Sequence, residues 1–269
     1  MEQNFTINLV SNASMQLFPT NTMARFTTLL PQKIDLTGDW EVAVLEVTWP
    51  AKVKNITKAS FTLSRFEKTS PSRPKHNQTI PDGYYPTVDT LISRVLQTVY
   101  QRSDNFPVSW KVDPVSEKLE IFFTGQKTED QFLMLFKSDD LSNTLGVTDT
   151  ICCTLGKSRA VEGTYPVDIQ GGRHTMFLYC DLIQNEILGD TQTALLRVIP
   201  LQQTKDAATC YRTFNKLQWK RLSRTSFQSI TISLCDETGQ PMPFVSIGRT
   251  NLTLAFRQRN QSFSQPKLF

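Results

Sequence analysis

The chain has 269 residues, 39% of them hydrophobic and 20% charged, an ordinary globular composition that excludes a disordered or low-complexity protein. Seventeen Phe and many Thr against eleven Gly favour strands over helix bundles. The net charge of +4 is uneven: residues 202–269 hold ten Lys or Arg and three acids and carry +7, and the remainder carries −3, which suggests an acidic neighbour for the C-terminal quarter.

The N-terminus MEQNFTINLV has neither the basic region nor the apolar run of a secretory signal, and no apolar stretch is long enough for a membrane span. Five cysteines without C-x-x-C spacing fit neither a zinc site nor a full disulfide framework, and Cys180 and Cys235 fall in strand-like runs as reduced core residues. These features point to synthesis in a reducing host compartment. The N-x-S/T sequons, such as Asn55 and Asn77, are then chance occurrences.

In chain order, Phe5, Ile7 and Leu9 alternate with polar residues and predict a first short strand, followed by the turn-rich SNASMQLFPTNT. Residues 26–30 predict a weak strand closed by Pro31. In WEVAVLEVTWP, Trp40, Val42 and Val44 share one face while Ala43, Leu45, Val47 and Trp49 share the other, so a central strand covered on both sides is expected. Phe61 and Leu63 mark another strand before a Pro-rich loop. Val88, Leu91, Ile92, Val95, Leu96 and Val99 keep helical spacing behind Thr87 as N-cap. Strands at 108–112 and 118–124 follow, then a short apolar run at 132–136 and a helical turn closed by Gly146. This stretch, 84–147, reads as a small helix-containing α+β insertion within a single domain of residues 1–269.

Residues 154–173 read as a loop, 174–183 and 195–201 as apolar strands, and 202–226 as a polar, basic, aromatic connection. The chain ends on two strongly one-sided strands. Ile230, Ile232 and Leu234 alternate with Thr231, Ser233 and Cys235; Leu252, Leu254 and Phe256 repeat the pattern after a turn at Asp236-Glu237-Thr238-Gly239. Many strands with long connections predict a mainly β fold, a Greek-key sandwich rather than an α/β sheet.

No phosphate-loop, dinucleotide, zinc-protease or nucleophile-elbow motif occurs. His174 and Cys180 share a strand face but stand roughly 20 Å apart at strand rise, beyond hydrogen-bond reach. Asp181, Glu186 and Asp190 suit a cation or acid–base site but are read first as turn acids around Gly189. The run KLQWKRLSR supplies the candidate interface or nucleic-acid-facing residues Lys216, Trp219, Lys220, Arg221 and Arg224, because Trp and Arg anchor protein interfaces and cations beside a stacking Trp suit single strands. Subunit contact ranks ahead of genome contact. No catalytic, cofactor-binding or metal-binding residue is assigned, and no enzyme is expected.

The stretches SNASMQLFPTNTMARFTTLLPQKIDLTGDWEVAVLEVTWP, GYYPTVDTLISRVL, LYCDLIQNEILGDTQTALLRVIPL, FQSITISLCDETGQPMPF and TNLTLAFR follow one another over most of the chain. In them the chain resembles the minor capsid, penton-like protein of Maverick/Polinton elements and the related adintovirus-like viruses; 148–173 and 202–226 carry no part of the resemblance. The resemblance implies a non-enzymatic jelly-roll virion protein. It would self-assemble into a homo-oligomer, a pentamer, at the vertices of an icosahedral capsid, beside a major capsid protein. The alternatives are a β-sandwich glycan- or receptor-binding module and a major capsid jelly-roll protein; the major protein of such elements is a double jelly roll of about twice this length.

Overall fold

The computed structural model describes residues 4–66, 75–100, 108–123, 131–137, 139–148, 150–154, 161–201, 207–245 and 248–259. In chain order the elements are β1 (Asn4–Val10), β2 (Arg25–Asp35), β3 (Trp40–Pro50), β4 (Ser60–Phe66), β5 (Lys75–Thr79), α1 (Val88–Tyr100), β6 (Val108–Val112), β7 (Lys118–Phe123), β8 (Gln131–Phe136), α2 (Asp140–Leu145), β9 (Thr150–Thr154) and β10 (Val161–Pro166). There follow β11 (Thr175–Cys180), β12 (Glu186–Leu188), β13 (Thr191–Thr193), β14 (Leu195–Pro200), β15 (Thr209–Thr213), β16 (Lys220–Arg221), β17 (Ser226–Cys235) and β18 (Asn251–Gln258). They form two compact units: Met1–Val53 with His174–Phe269, and Lys54–Arg173.

The first unit is a jelly roll. One sheet has the order β1-β18-β3-β15, with β16 also on β3, and the other β14-β11-β17-β2. The first strand pairs with the last, β2 with β17, β3 with β15, and β11 with β14, all antiparallel. That nesting is a long hairpin folded over itself, closed by β18 on β3 and β17 on β11. The two C-terminal strands hold the centre of it. Ile230, Ile232, Leu234, Leu252, Leu254 and Phe256 are all at most 2% exposed, as their alternation predicts. Phe256 stacks on Phe5 within its own sheet at 4.8 Å and on Phe227 of the other sheet at 6.0 Å. One apolar cluster therefore joins both sheets, each fully buried large side chain contributing about 1.5–3 kcal/mol.

Four features depart from the sequence expectations. First, the core face of β3 changes phase along the strand, although Ala43 on its other face is buried as well. Its register against β18 slips between Glu46 and Val44, leaving Leu45 unopposed. This bulge moves the core face from Trp40, Val42 and Val44 to Val47 and Trp49, and the phase change makes both faces of the sequence look apolar. Second, Pro31 does not close β2. The strand lies at a sheet edge, and residues 30–33 face only Gln228 across an irregularity in the register, so the missing N–H costs no ladder bond. Third, the stretch read as a basic loop contains β15, which completes a sheet through Thr209↔Pro50 to Thr213↔Glu46. Fourth, the loop expected at 154–173 contains β10, paired with β7.

The second unit, Lys54–Arg173, extends beyond 84–147 at both ends, because β4 pairs with β5 and β8, β9 with β8, and β10 with β7. The α1 stripe buries Leu91, Val95 and Val99 completely among Phe61, Leu119, Ile121 and Met134. Thr87 Oγ1 accepts the Thr90 N–H at 3.2 Å, capping the helix. α2 is framed by a capping box at Asp139 and by Gly146 at φ 64°. The ends of the unit are tied by side chains. Asn55 donates to the carbonyls of Tyr85 (2.9 Å) and Ile169 (2.8 Å) and accepts the Tyr85 N–H (2.9 Å). Asp140 accepts from Arg173 at 2.8 Å and from the Thr57 N–H at 2.9 Å.

Candidate interface surfaces

The residues from 216 to 224 contact both the β1-β18-β3-β15 sheet and the segment after β11. Lys220 and Arg221 form β16, opposite Val42 and Glu41. Trp219 lies beneath the Arg257 guanidinium at 4.1 Å, and Arg257 in turn places two donors on Glu41, at 2.9 and 2.7 Å. Lys220 pairs with Glu186, and Arg224 pairs with Asp181 at 2.7 Å. The Lys216 and Arg221 side chains are exposed, while their carbonyls accept from Arg197 (3.2 Å) and from the Gln184 N–H (3.0 Å). Two of the four cations of this run are thus matched by acids that follow β11 in the sandwich.

Those acids were the candidate cation or acid–base cluster, and the fold assigns each another task. Asp181 accepts the Thr231 N–H at 2.8 Å besides its arginine, Glu186 holds Lys220, and Asp190 lies in the turn between β12 and β13. Among the described residues no group of three or more His, Cys, Asp or Glu is placed to hold a metal ion, and no helix is long and apolar enough to cross a membrane. Cys180 and Cys235 are free thiols. Burial pushes the Cys180 thiol up to about 12, and burial, then the Asp236 charge, raises that of Cys235, so both favour the unreactive protonated form. Asp236 is a buried loop organiser, accepting from the Thr238 N–H (2.9 Å), the Thr238 hydroxyl (2.7 Å) and the Gln240 N–H (3.0 Å).

Sequence reasoning missed the two outward faces of the sandwich. On the β1-β18-β3-β15 sheet a polar ladder crosses four strands. The Thr213 hydroxyl donates to Tyr211 at 2.9 Å, Tyr211 donates to Glu46 at 2.7 Å, and the Thr253 hydroxyl lies 2.9 Å from Glu46 and 2.8 Å from Asn8. The hydrogen bonds from Tyr211 and Thr253 hold the Glu46 carboxyl below its usual range. On the outward face of the other sheet stand Leu29 and Val198, 38% and 41% exposed, with Phe177 and Tyr179 half-buried between them. Alternation marks such residues as facing outward; only the strand order shows which of them are neighbours.

These elements define a jelly-roll protein with a second compact unit placed in the chain between β3 and β11. The crystal structure of the mavirus penton protein shares this fold, with a TM-score of 0.53 and 12% sequence identity over 94% of this chain and 99% of that one. No family model matches the chain, and no curated protein matches it in sequence.

Proposed function

We propose that the chain is a structural virion protein, a penton-like minor capsid protein that self-assembles into the vertex capsomers of an icosahedral shell. The observation that carries this reading is a fold shared with a viral penton protein along nearly the whole of both chains. The sequence resemblance to the Maverick/Polinton and adintovirus-like group supports it from another direction. The reading makes the homo-oligomer a pentamer, its lateral neighbour a major capsid protein and its location the virion, and it gives the chain no catalytic step. A closed ring needs a head-to-tail contact between two different surfaces of one chain, and the two outward faces of this sandwich differ in chemistry. Within the basic run, Lys216 and Arg221 are the residues left open to a partner subunit or the genome. Sedimentation velocity and negative-stain imaging of the purified chain test the proposal. Five-fold rings with the mass of a pentamer are expected; a strict monomer over a wide concentration range overturns it.

A further inference from the structure

The two outward faces offer complementary corners. One is at the β2 edge. Leu17, Met15 and Leu29 are 61%, 41% and 38% exposed there, and they are held outward by a built loop rather than left to collapse. The Leu29 N–H donates to Ser14 Oγ at 3.0 Å, and the Phe18 N–H to the Ser14 carbonyl at 2.9 Å. The Asn21 side chain donates to the carbonyls of Ala13 (3.2 Å) and Thr27 (2.9 Å) and accepts the Thr27 N–H at 2.9 Å. Single exposed apolar residues are ordinary, but three on one prebuilt corner form a patch. Arg25, two register positions beyond Thr27 and four beyond Leu29 on the outward face of β2, is exposed and has no carboxylate partner among the described residues.

The other corner is at the β15 edge of the opposite sheet. Tyr211 is 63% exposed, and its hydroxyl is fixed by Glu46 and Thr213. A pre-positioned tyrosine loses little entropy when covered, which suits it as an interface anchor. Glu46 is bound by hydroxyls alone and has no cationic partner among the described residues. The strand orders place these corners diagonally across the sandwich, β2 and β15 each ending its own sheet on opposite sides.

We infer that the β2 corner receives the β15 corner of a second copy, Tyr211 seating on Met15, Leu17 and Leu29 while Arg25 meets Glu46. The occupant is another copy of this chain because the unmatched charges are opposite in sign and lie on different faces of the same molecule. Such a contact is head to tail, joining two different surfaces of one chain. The inference rests on the proposed capsomer and identifies its lateral surfaces.

The test uses the full chain with Arg25→Glu, Glu46→Arg, the double variant and, away from the Glu46 hydrogen bonds, Leu17→Asp, read by sedimentation velocity with circular dichroism melts as the folding control. Each single variant should weaken self-association on the order of tenfold or more, since like charges then face one another. The double variant should recover it, and mixing Arg25→Glu with Glu46→Arg should give association that neither shows alone. Leu17→Asp should weaken assembly with its melting temperature unchanged. Single variants and Leu17→Asp that assemble like the wild type, or a double variant no better than the singles, overturn the docking corners and leave the capsomer reading standing. A wild-type chain that never assembles removes both.

Discussion

The two compact units solve the same problem, enclosing a core, by different means. In the sandwich, strand register does the work: the inward positions of β17 and β18 are apolar throughout, and the outward positions carry the polar ladders. In the Lys54–Arg173 unit the sheets are shorter, a helix supplies much of the core, and polar side chains close the ends. Asn55 is only 5% exposed and satisfies three backbone groups, while Asp140 and Arg173, each 15% exposed, tie the last residue of the unit to the Thr57 backbone. A chain that nests first strand on last is closed by its sheets. A unit between two strands of another has to fasten its own entry to its own exit, and short polar side chains do that with directional bonds.

The contrast can be broken most severely at the sandwich core. Ile232→Asp or Leu254→Asp places a charge where exposure is 0%, and the unpaired charge has no counterion to reach, so the folded state should be lost. Far-UV circular dichroism and soluble yield report this; a native-like melt from either variant would refute the assignment of these strands to the core.

A glycine in each unit sharpens it further. Gly146 has φ 64°, and a Cβ there would lie 2.2 Å from the Tyr165 carbonyl oxygen. Gly189 has φ 61° and nothing within 4 Å. Gly146→Ala should therefore cost about 3 kcal/mol or more through strain plus collision, and Gly189→Ala only about 1 kcal/mol through strain alone. Urea denaturation of the two variants should keep that order.

Asn55→Ala tests the fastening of the second unit. It removes a buried side chain that serves two carbonyls and one N–H, a loss of about 2–4 kcal/mol. Limited proteolysis should gain cleavage sites within 54–173 while the described sandwich strands stay protected; uniform loss of protection would count against a local role.

The last expectation is a slope at alkaline pH, and it vanishes at neutral pH. Cys180 is buried and its thiol titrates near 12 rather than its ordinary 9. Only the unfolded chain ionises in that window, so its stabilising effect is complete below pH 9 and falls by about 1.4 kcal/mol per unit as pH rises toward the folded value. Cys180→Ser should flatten that alkaline slope, at some cost in packing. Native Cys180 should also resist alkylation that labels the half-buried Cys210.

Much of the fold was legible because local patterns coincided with tertiary roles. The alternation at Ile230, Ile232, Leu234, Leu252, Leu254 and Phe256, the α1 stripe behind Thr87, and the capped turn ending at Gly146 all report on short-range geometry. The basic run was legible as charge, but its matching acids, Glu186 and Asp181, belong to the connections after β11 and were read as a cluster of their own. The corners at Leu29 and Tyr211 carried no signal that singled them out. Each is one outward residue among many.

Local pattern was enough to show which residues face inward on the strongest strands, the one long helix, the class of fold and the absence of recognisable catalytic motifs, because periodicity and spacing are local properties. Strand pairing was needed to show that Leu45 bulges out of β3, that Pro31 sits harmlessly at an edge, that 209–213 is a sheet strand, and which outward side chains become neighbours. Those outcomes depend on the identity and register of a partner strand far away in the chain. A residue's own neighbourhood in sequence holds no record of that partner.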